Sequence, residues 1–232
     1  MSTHIANVSW GKDSLAMLLV LIERRMPIDE VVFYDTGMEF EAIYRERDRI
    51  LPVLAERGIR YTELRPKRPF LYDMLVKPVN HRDGTTTRGY GWCGGTCRWG
   101  TKGKTLAIDR YVRDRGGVSL IGIAADETER AHRDGNAGKI MPLIEWGMTE
   151  KDCLELCYSR GCTWEQDGIK LYDVLDRVSC WCCRNKNLKE IDGMRNSLPE
   201  YYQRLKALEA AIGVPMKGDR WLEVDAHGHQ QG

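Results

Sequence analysis

The stretch Asn7-Val-Ser-Trp-Gly-Lys-Asp-Ser-Leu-Ala-Met-Leu-Leu-Val-Leu-Ile22 constrains this chain more than any other. It joins a short strand-like run, residues 4–9, to a helix over 13–25 whose Leu15, Leu18, Leu19 and Ile22 share one face. A turn in that place lies at the carboxyl edge of a sheet, where α/β folds bind ligands. Gly11 lets a ligand approach the backbone closely. The first N–H groups of a helix lack intrahelical acceptors, and with the positive end of the dipole they form an anion site. Ser9 and Ser14 add hydroxyl donors and Lys12 adds a charge, so a phosphate is the natural ligand. The Gly-x-x-x-x-Gly-Lys-Ser/Thr pattern of the nucleoside-triphosphatase P-loop is absent. A Ser or Asp helix cap with nothing bound accounts for the same residues.

The rest of the chain alternates strands and helices. Val31–Tyr34 reads as a buried strand, Glu41–Arg57 as a helix that Pro52 should kink or split, and Ile59–Leu64 as a third strand. Thr105–Arg115 reads as a helix, Val118–Ala124 as a fourth strand and Lys139–Leu143 as a short fifth. Thr149, with Asp152 three residues on, caps a helix to Arg160, and Gly213 stops another that starts at Leu198. This order predicts an α/β fold with a mostly parallel five-stranded sheet flanked by helices and a helical C-terminal portion. The expected organisation is an α/β nucleotide-binding core over residues 1–145 and a helical part over 146–232. Within the core, residues 65–104 form an irregular insertion too long to be idle loop.

Composition narrows the partners. Residues 57–115 hold fourteen Lys/Arg against five Asp/Glu, although the whole chain carries a net charge of only +1. Tyr61, Phe70, Tyr72, Tyr90, Trp92, Trp99 and Tyr111 interleave with that charge, which suits a nucleotide or nucleic acid; a solvated face with core aromatics is the plain alternative. No apolar run reaches membrane-span length, and no signal peptide is visible, so a cytoplasmic location and no membrane partner are expected.

Eight cysteines stand at 93, 97, 153, 157, 162, 180, 182 and 183. In a cytosolic chain such clustering favours metal ligation or redox chemistry over disulfides. Cys93 and Cys97 precede Cys180 and Cys183 by more than eighty residues, so two distant loops can converge on one ion or cluster. Those four are the expected metal ligands, with an iron–sulfur cluster preferred and zinc the alternative. Arg98 and Lys102 bring positive charge beside the first pair. Cys153 and Cys157 read as core residues, and Cys162 as a structural or free thiol.

Ser9-Trp-Gly-Lys-Asp-Ser14 resembles the Ser-x-Gly-x-Asp-Ser pyrophosphate (PP) loop of the adenine-nucleotide α-hydrolase superfamily. More narrowly, the chain resembles the phosphoadenosine-phosphosulfate (PAPS) reductase family. Phe33-Tyr-Asp-Thr-Gly-Met-Glu-Phe40, Gly122-Ile-Ala-Ala-Asp-Glu127 with Arg130, and Pro142-Leu-Ile-Glu-Trp146 follow in that family's order. The resemblance implies that Ser9, Trp10, Gly11, Lys12, Asp13 and Ser14 hold phosphate or sulfate groups, with Gly122 and Arg130 nearby. It also implies that Asp35, Thr36 and Gly37 line an adenosine pocket. Asp13 would place magnesium with ATP or brace the loop; Asp126 and Glu127 read as a helix start or a magnesium site, and Trp146 as a core or interface residue. The paired cysteines are similar to those that ligate a four-iron-four-sulfur cluster in adenylylsulfate (APS) reductases, with a wider first pair and Cys182 extra.

Two departures weaken a reductase reading. The tail from Leu222 to Gly232, expected to be exposed, lacks the family's nucleophilic cysteine, and Ala124 stands where the family commonly places Arg. The expected reaction is therefore ATP-dependent sulfur transfer: adenylation with loss of pyrophosphate, then thiolation, with Lys12, Asp13 and Cys182 in catalytic positions. PAPS or APS reduction, with Cys182 as nucleophile, is the second reading. A non-catalytic nucleotide-binding module with a structural four-cysteine metal site is the third. The matching partners are ATP or PAPS/APS, a nucleic acid acceptor, a sulfur-donor protein or thioredoxin, and a second copy in a homodimer.

Overall fold

The structure is a computed structural model and describes residues 2–93 and 95–218. In chain order, β1 (Thr3–Asn7), α1 (Lys12–Glu23), β2 (Glu30–Tyr34), α2 (Glu41–Glu56), β3 (Arg60–Leu64) and α3 (Phe70–Leu75) come first. A hairpin of β4 (Pro78–Asn80) and β5 (Thr86–Arg88), a π-helical turn (Arg98–Gly103), α4 (Lys104–Asp114), β6 (Gly117–Ile121), α5 (Thr128–Ala131) and α6 (Pro142–Glu145) follow. Then come α7 (Glu150–Ser159), a small hairpin of β7 (Glu165–Gln166) and β8 (Ile169–Lys170), α8 (Leu171–Val174), α9 (Leu188–Ser197) and α10 (Pro199–Ile212). Contacts divide the chain into two compact units. Among the described residues, the first contains 2–35, 41–65 and 104–164; the second contains 36–40, 66–93, 95–103 and 165–218.

The first unit is built on a four-stranded sheet of order β3-β2-β1-β6, parallel throughout. Strand β2, Glu-Val-Val-Phe-Tyr, is buried at all five positions, as a central parallel strand covered on both faces must be. Ile5, Val32 and Tyr34 pack with Ile108 and Val112 of α4 on one side. Helix α1 packs on α7, where Cys153 and Cys157 are fully buried as core residues. The sheet has four strands, not the expected five. The stretch around Lys139–Leu143 contributes one isolated parallel bridge, Leu120 to Ile140. Pro142 has no N–H to extend a ladder and instead opens the turn α6.

Helix α2 runs through Pro52 from Glu41 to Glu56 without a break, with Pro52 on the exposed side. The carbonyl that loses its partner there can turn to water, so the cost stays local. Thr149 caps α7 as expected: its side chain accepts from Asp152 N, and Asp152 returns the bond to Thr149 N.

In the second unit, α9 and α10 pack on each other, and α8 packs on α9. A core of Phe70, Met74, Ile191, Leu205, Leu208 and Met216 is buried there. Helix α9 went unnoticed in the sequence, although Asn187 and Glu190 form a full capping box at its start. No helix among the described residues is long and apolar enough to cross a membrane. The expectation about the tail, Trp221–Gly232, lies outside the described residues.

Candidate functional site

The loop between β1 and α1 closes on itself through Ser14. Its Oγ accepts from Ser9 N at 3.0 Å, lies 3.0 Å from Ser9 Oγ and donates to Gly11 O at 3.2 Å. Gly11 is the N-cap of α1, and no side-chain hydrogen bond caps the helix, the arrangement in which first-turn N–H groups can take an anion. The left-handed residue of the loop is Trp10, at φ 63°, and not Gly11, at φ −80°. A bulky residue in that region is strained by about 1–3 kcal/mol. Burial holds it: the indole is fully covered, and Trp10 O accepts from Trp164 Nε1 at 2.7 Å. Trp10 therefore shapes the loop through its backbone while its side chain belongs to the core.

Gly122, just past β6, presses on the same loop. A Cβ there would sit 2.6 Å from Ser14 Cα and 2.8 Å from Ser14 N. Lys12 is buried, with its Nζ 2.9 Å from Asp13 Oδ1 and 3.2 Å from Glu150 Oε1. Its charge serves this acidic group directly. Asp13, Glu127 and Glu150 bring carboxylate oxygens within 4.8 Å of one another. Desolvation pushes the Asp13 carboxyl up, against the opposing pull of Lys12. Arg130 donates to both carboxylate oxygens of Glu127, at 3.1 and 2.9 Å. Glu150 was missed in the sequence. The signal was available: the Thr149 capping box puts Glu150 in the first turn of the helix that packs on α1.

Asp35 ends the first unit's segment after β2, with Oδ1 accepting from Tyr44 Oη at 2.7 Å and Arg65 3.7 Å from Oδ2. In the second unit Thr36 Oγ1 donates to Glu39 Oε1 at 3.2 Å and accepts from Met38 N at 3.2 Å. Gly37 turns the chain at φ 74°.

Also in the second unit, Cys93, Cys97, Cys180, Cys182 and Cys183 line one cavity of about 100 Å³. Arg98 N donates to Cys93 Sγ at 3.2 Å and Gly100 N to Cys97 Sγ at 3.4 Å, the kind of N–H···S bonding that tunes metal thiolates. Cys180 Sγ lies 3.6 Å from Thr36 Oγ1 and 3.8 Å from Glu39 Oε1. A Cβ on Gly100 would meet Cys180 Sγ at 3.7 Å and Cys97 Sγ at 3.8 Å, so the two cysteine segments border the same space. Burial raises the Cys180 and Cys97 thiols; for Cys97 the Gly100 and Trp99 N–H groups work against it. Cys182 is 4% exposed, and burial followed by the neighbouring Cys183 pushes its thiol far up, which disfavours a nucleophilic thiolate.

The donor set fits a metal centre. Four sulfurs around one zinc, at Zn–S of about 2.3 Å, stand roughly 3.8 Å apart. Among the described residues no three cysteine sulfurs lie within 4.8 Å of one another; the acidic trio is the one group that does. Lys186, 2% exposed, lies just beyond Cys183, with its N–H on Cys183 O at 3.1 Å. Burial lowers its pKa, and the neighbouring Cys183 and Glu190 oppose that shift.

Comparison with known proteins finds a family match in the first part of the chain. Residues 3–69 match the phosphoadenosine phosphosulfate reductase domain. An uncharacterized protein of Methanocaldococcus jannaschii is 24% identical over 213 residues, which cover 84% of this chain and 39% of that protein. The chain thus spans about two fifths of the length of the curated relative it matches. Among solved structures, the U34-tRNA thiolase NcsA from Methanococcus maripaludis with its 4Fe-4S cluster is similar at 15% identity and a TM-score of 0.49, over 91% of this chain and 73% of that one. The likeness to the phosphoadenosine phosphosulfate reductase domain thus lies in residues 3–69, the segment that holds β1, the Ser9–Ser14 loop, α1, β2, α2 and β3.

Proposed function

We propose that this chain uses ATP to activate an acceptor for sulfur transfer, with a cysteine-ligated iron–sulfur cluster in its second unit. The observation that carries the reading is the convergence of Cys93 and Cys97 with Cys180 and Cys183 on one cavity, in a chain that also carries the pyrophosphate loop. The uncapped start of α1 would take the β- and γ-phosphates through backbone N–H groups. Asp13, Glu127 and Glu150 would hold magnesium there, and Lys12 balances their charge when the metal is away. The acceptor oxygen attacks the α-phosphorus and pyrophosphate leaves with the bond's electron pair. A sulfur nucleophile then displaces AMP, so the acceptor's oxygen departs on AMP and sulfur takes its place. When bound, an iron–sulfur group supplies a place to coordinate that inorganic sulfur. The basic stretch with Lys77, Arg82, Arg88 and Arg98 suits a nucleic acid acceptor.

Against sulfonucleotide reduction stand the buried, high-pKa thiol of Cys182 and the neutral, buried Ala124. The test combines composition and turnover. Anaerobically purified protein should contain iron and acid-labile sulfide, and Cys180→Ser should lose them. Pyrophosphate release from ATP should rise when RNA or DNA is added. Sulfite release from PAPS or APS with thioredoxin would replace this reading by a reductase. Nucleotide binding with neither product would leave a binding module.

A further inference from the structure

Residues 80–88 of the second unit are exposed without a break, and they form the outer part of the β4–β5 hairpin. The hairpin is fixed at its root. Gly89 N donates to Lys77 O at 2.8 Å, Tyr90 N to Asp73 O at 3.1 Å and Gly91 N to Met74 O at 3.0 Å. Its tip is ordered as well: Asp83 Oδ1 accepts from Thr85 N at 2.9 Å and from Thr85 Oγ1 at 2.7 Å. Across the strands His81 Nε2 lies 2.8 Å from Thr87 Oγ1, and Thr86 Oγ1 donates to Asn80 Oδ1 at 2.9 Å. The charge of this region is one-sided, with seven Lys/Arg against two Asp/Glu over residues 66–103. Asp83 is held by Thr85, and Asp73 by Lys77 at 3.8 Å and Trp99 Nε1 at 3.3 Å. Among the described residues Arg82, Arg88 and Arg98 make no ion pair. Arg98 lies over the Tyr90 ring at 4.2 Å, at the hairpin's root, and follows Cys97 of the cysteine cavity.

A fixed arm with unpaired arginines suits a polyanion, and its side chains select the form. Single-stranded nucleic acid is held by bases stacked on aromatic side chains, and residues 80–88 contain no aromatic or apolar residue. A duplex keeps its bases stacked on one another and presents phosphates to cations. The major groove of B-DNA, about 12 Å wide, admits a two-stranded ribbon, whereas the major groove of an RNA duplex is deep and too narrow for side chains to read. Strands of three residues are about 10 Å long, which matches a groove about 8.5 Å deep. We propose that the β4–β5 hairpin is a docking arm for double-stranded DNA, which enters the major groove with Arg82 and Arg88 on the flanking phosphates. The proposal rests on the nucleic acid acceptor of the preceding reading and names which nucleic acid it is. Arg98 carries the same charge from the arm's root to the edge of the cysteine cavity.

The experiment measures fluorescence anisotropy of labelled DNA duplex, RNA duplex and the single strands of each, over a range of salt. The parent should bind the DNA duplex more tightly than the other three. Each phosphate contact adds about 0.9 to the slope of log affinity against log salt, or about 3.5-fold between 50 and 200 mM. Arg82→Gln combined with Arg88→Gln should therefore make the fall in affinity over that range about 12-fold smaller. Arg82→Lys with Arg88→Lys keeps both charges and should keep most of the slope. Arg113→Gln removes an exposed arginine of the first unit and should leave the slope where it is. Four results overturn the proposal: no binding of the DNA duplex, tighter binding of RNA or of a single strand, an undiminished slope in the double glutamine variant, or an equal loss from Arg113→Gln. Failure of the preceding reading shows itself separately. A parent that binds the DNA duplex yet releases no pyrophosphate with it loses the sulfur-transfer reading and keeps the arm. Pyrophosphate release that only RNA stimulates keeps that reading and removes the arm.

Discussion

Gly122 and Ser14 touch backbone to backbone: a Cβ at Gly122 would lie 2.6 Å from Ser14 Cα, closer than real Cβ atoms come to anything. The end of β6 is thereby a wall for the first turn of α1. Gly122→Ala must push the loop off its place, because the obstructing atoms are main chain and cannot swing aside. Overpacking of this kind costs about 1–3 kcal/mol. The expected outcome is a matching fall in the urea midpoint together with weaker ATP binding by titration. Unchanged affinity would mean that the loop does not hold the phosphates.

Lys12 is packed between Asp13 at 2.9 Å and Glu150 at 3.2 Å. Lys12→Met leaves three neighbouring carboxylates facing one another. Breaking a buried pair costs about 3–5 kcal/mol, and the lower end applies because Glu150 keeps some contact with water. Magnesium should restore part of the loss in thermal unfolding, since a bound cation replaces the ammonium. Destabilisation that magnesium leaves untouched would remove the acidic trio as a metal site.

Cys153 is fully buried, and burial lifts its thiol from the usual 9.0 to about 12, with Asp13 next in effect. An acid whose folded pKa lies above its unfolded value binds more protons in the folded state through that window. Its contribution is whole below pH 9.0 and is lost as pH rises towards about 12. The parent chain should therefore lose stability steeply between those limits, and Cys153→Ala should flatten the slope. Urea midpoints at both ends of the window give the comparison; parallel slopes would place the alkaline sensitivity elsewhere.

Gly100 faces the sulfurs of Cys97 and Cys180, with its Cβ position 3.8 and 3.7 Å away. A methyl group there makes ordinary contact, whereas a larger side chain fills the cavity. Gly100→Ala should keep iron and sulfide, and Gly100→Leu should lose most of both while the folded chain survives. Equal metal content in the two variants would put the metal somewhere other than this cavity.

The parts of the fold legible in the sequence are those set by neighbours along the chain. The alternation of β2 with α2, the Thr149 capping box and the Ser9–Ser14 turn all declare themselves within a few residues. Boundaries moved by one to three residues, the largest shift being the end of the strand expected at Val118–Ala124 and found at Gly117–Ile121. The stretch Lys139–Leu143 has strand-like residues, but Pro142 stops the ladder two residues after its single bridge at Ile140. Helix α9 was missed because its apolar face, Ile191 and Met194, is narrow and becomes evident only against the core it packs on.

Local pattern therefore determined the loop, the sheet's parallel character and the identity of the cysteines that converge. Two matters were settled only by the folded chain: the left-handed Trp10 and the acidic partners of Lys12. Each depends on burial and on residues remote in sequence, Trp164 for Trp10 and Glu150 for Lys12. Hydrogen bonds and desolvation act through space, so a linear pattern carries no record of them until packing brings the groups together.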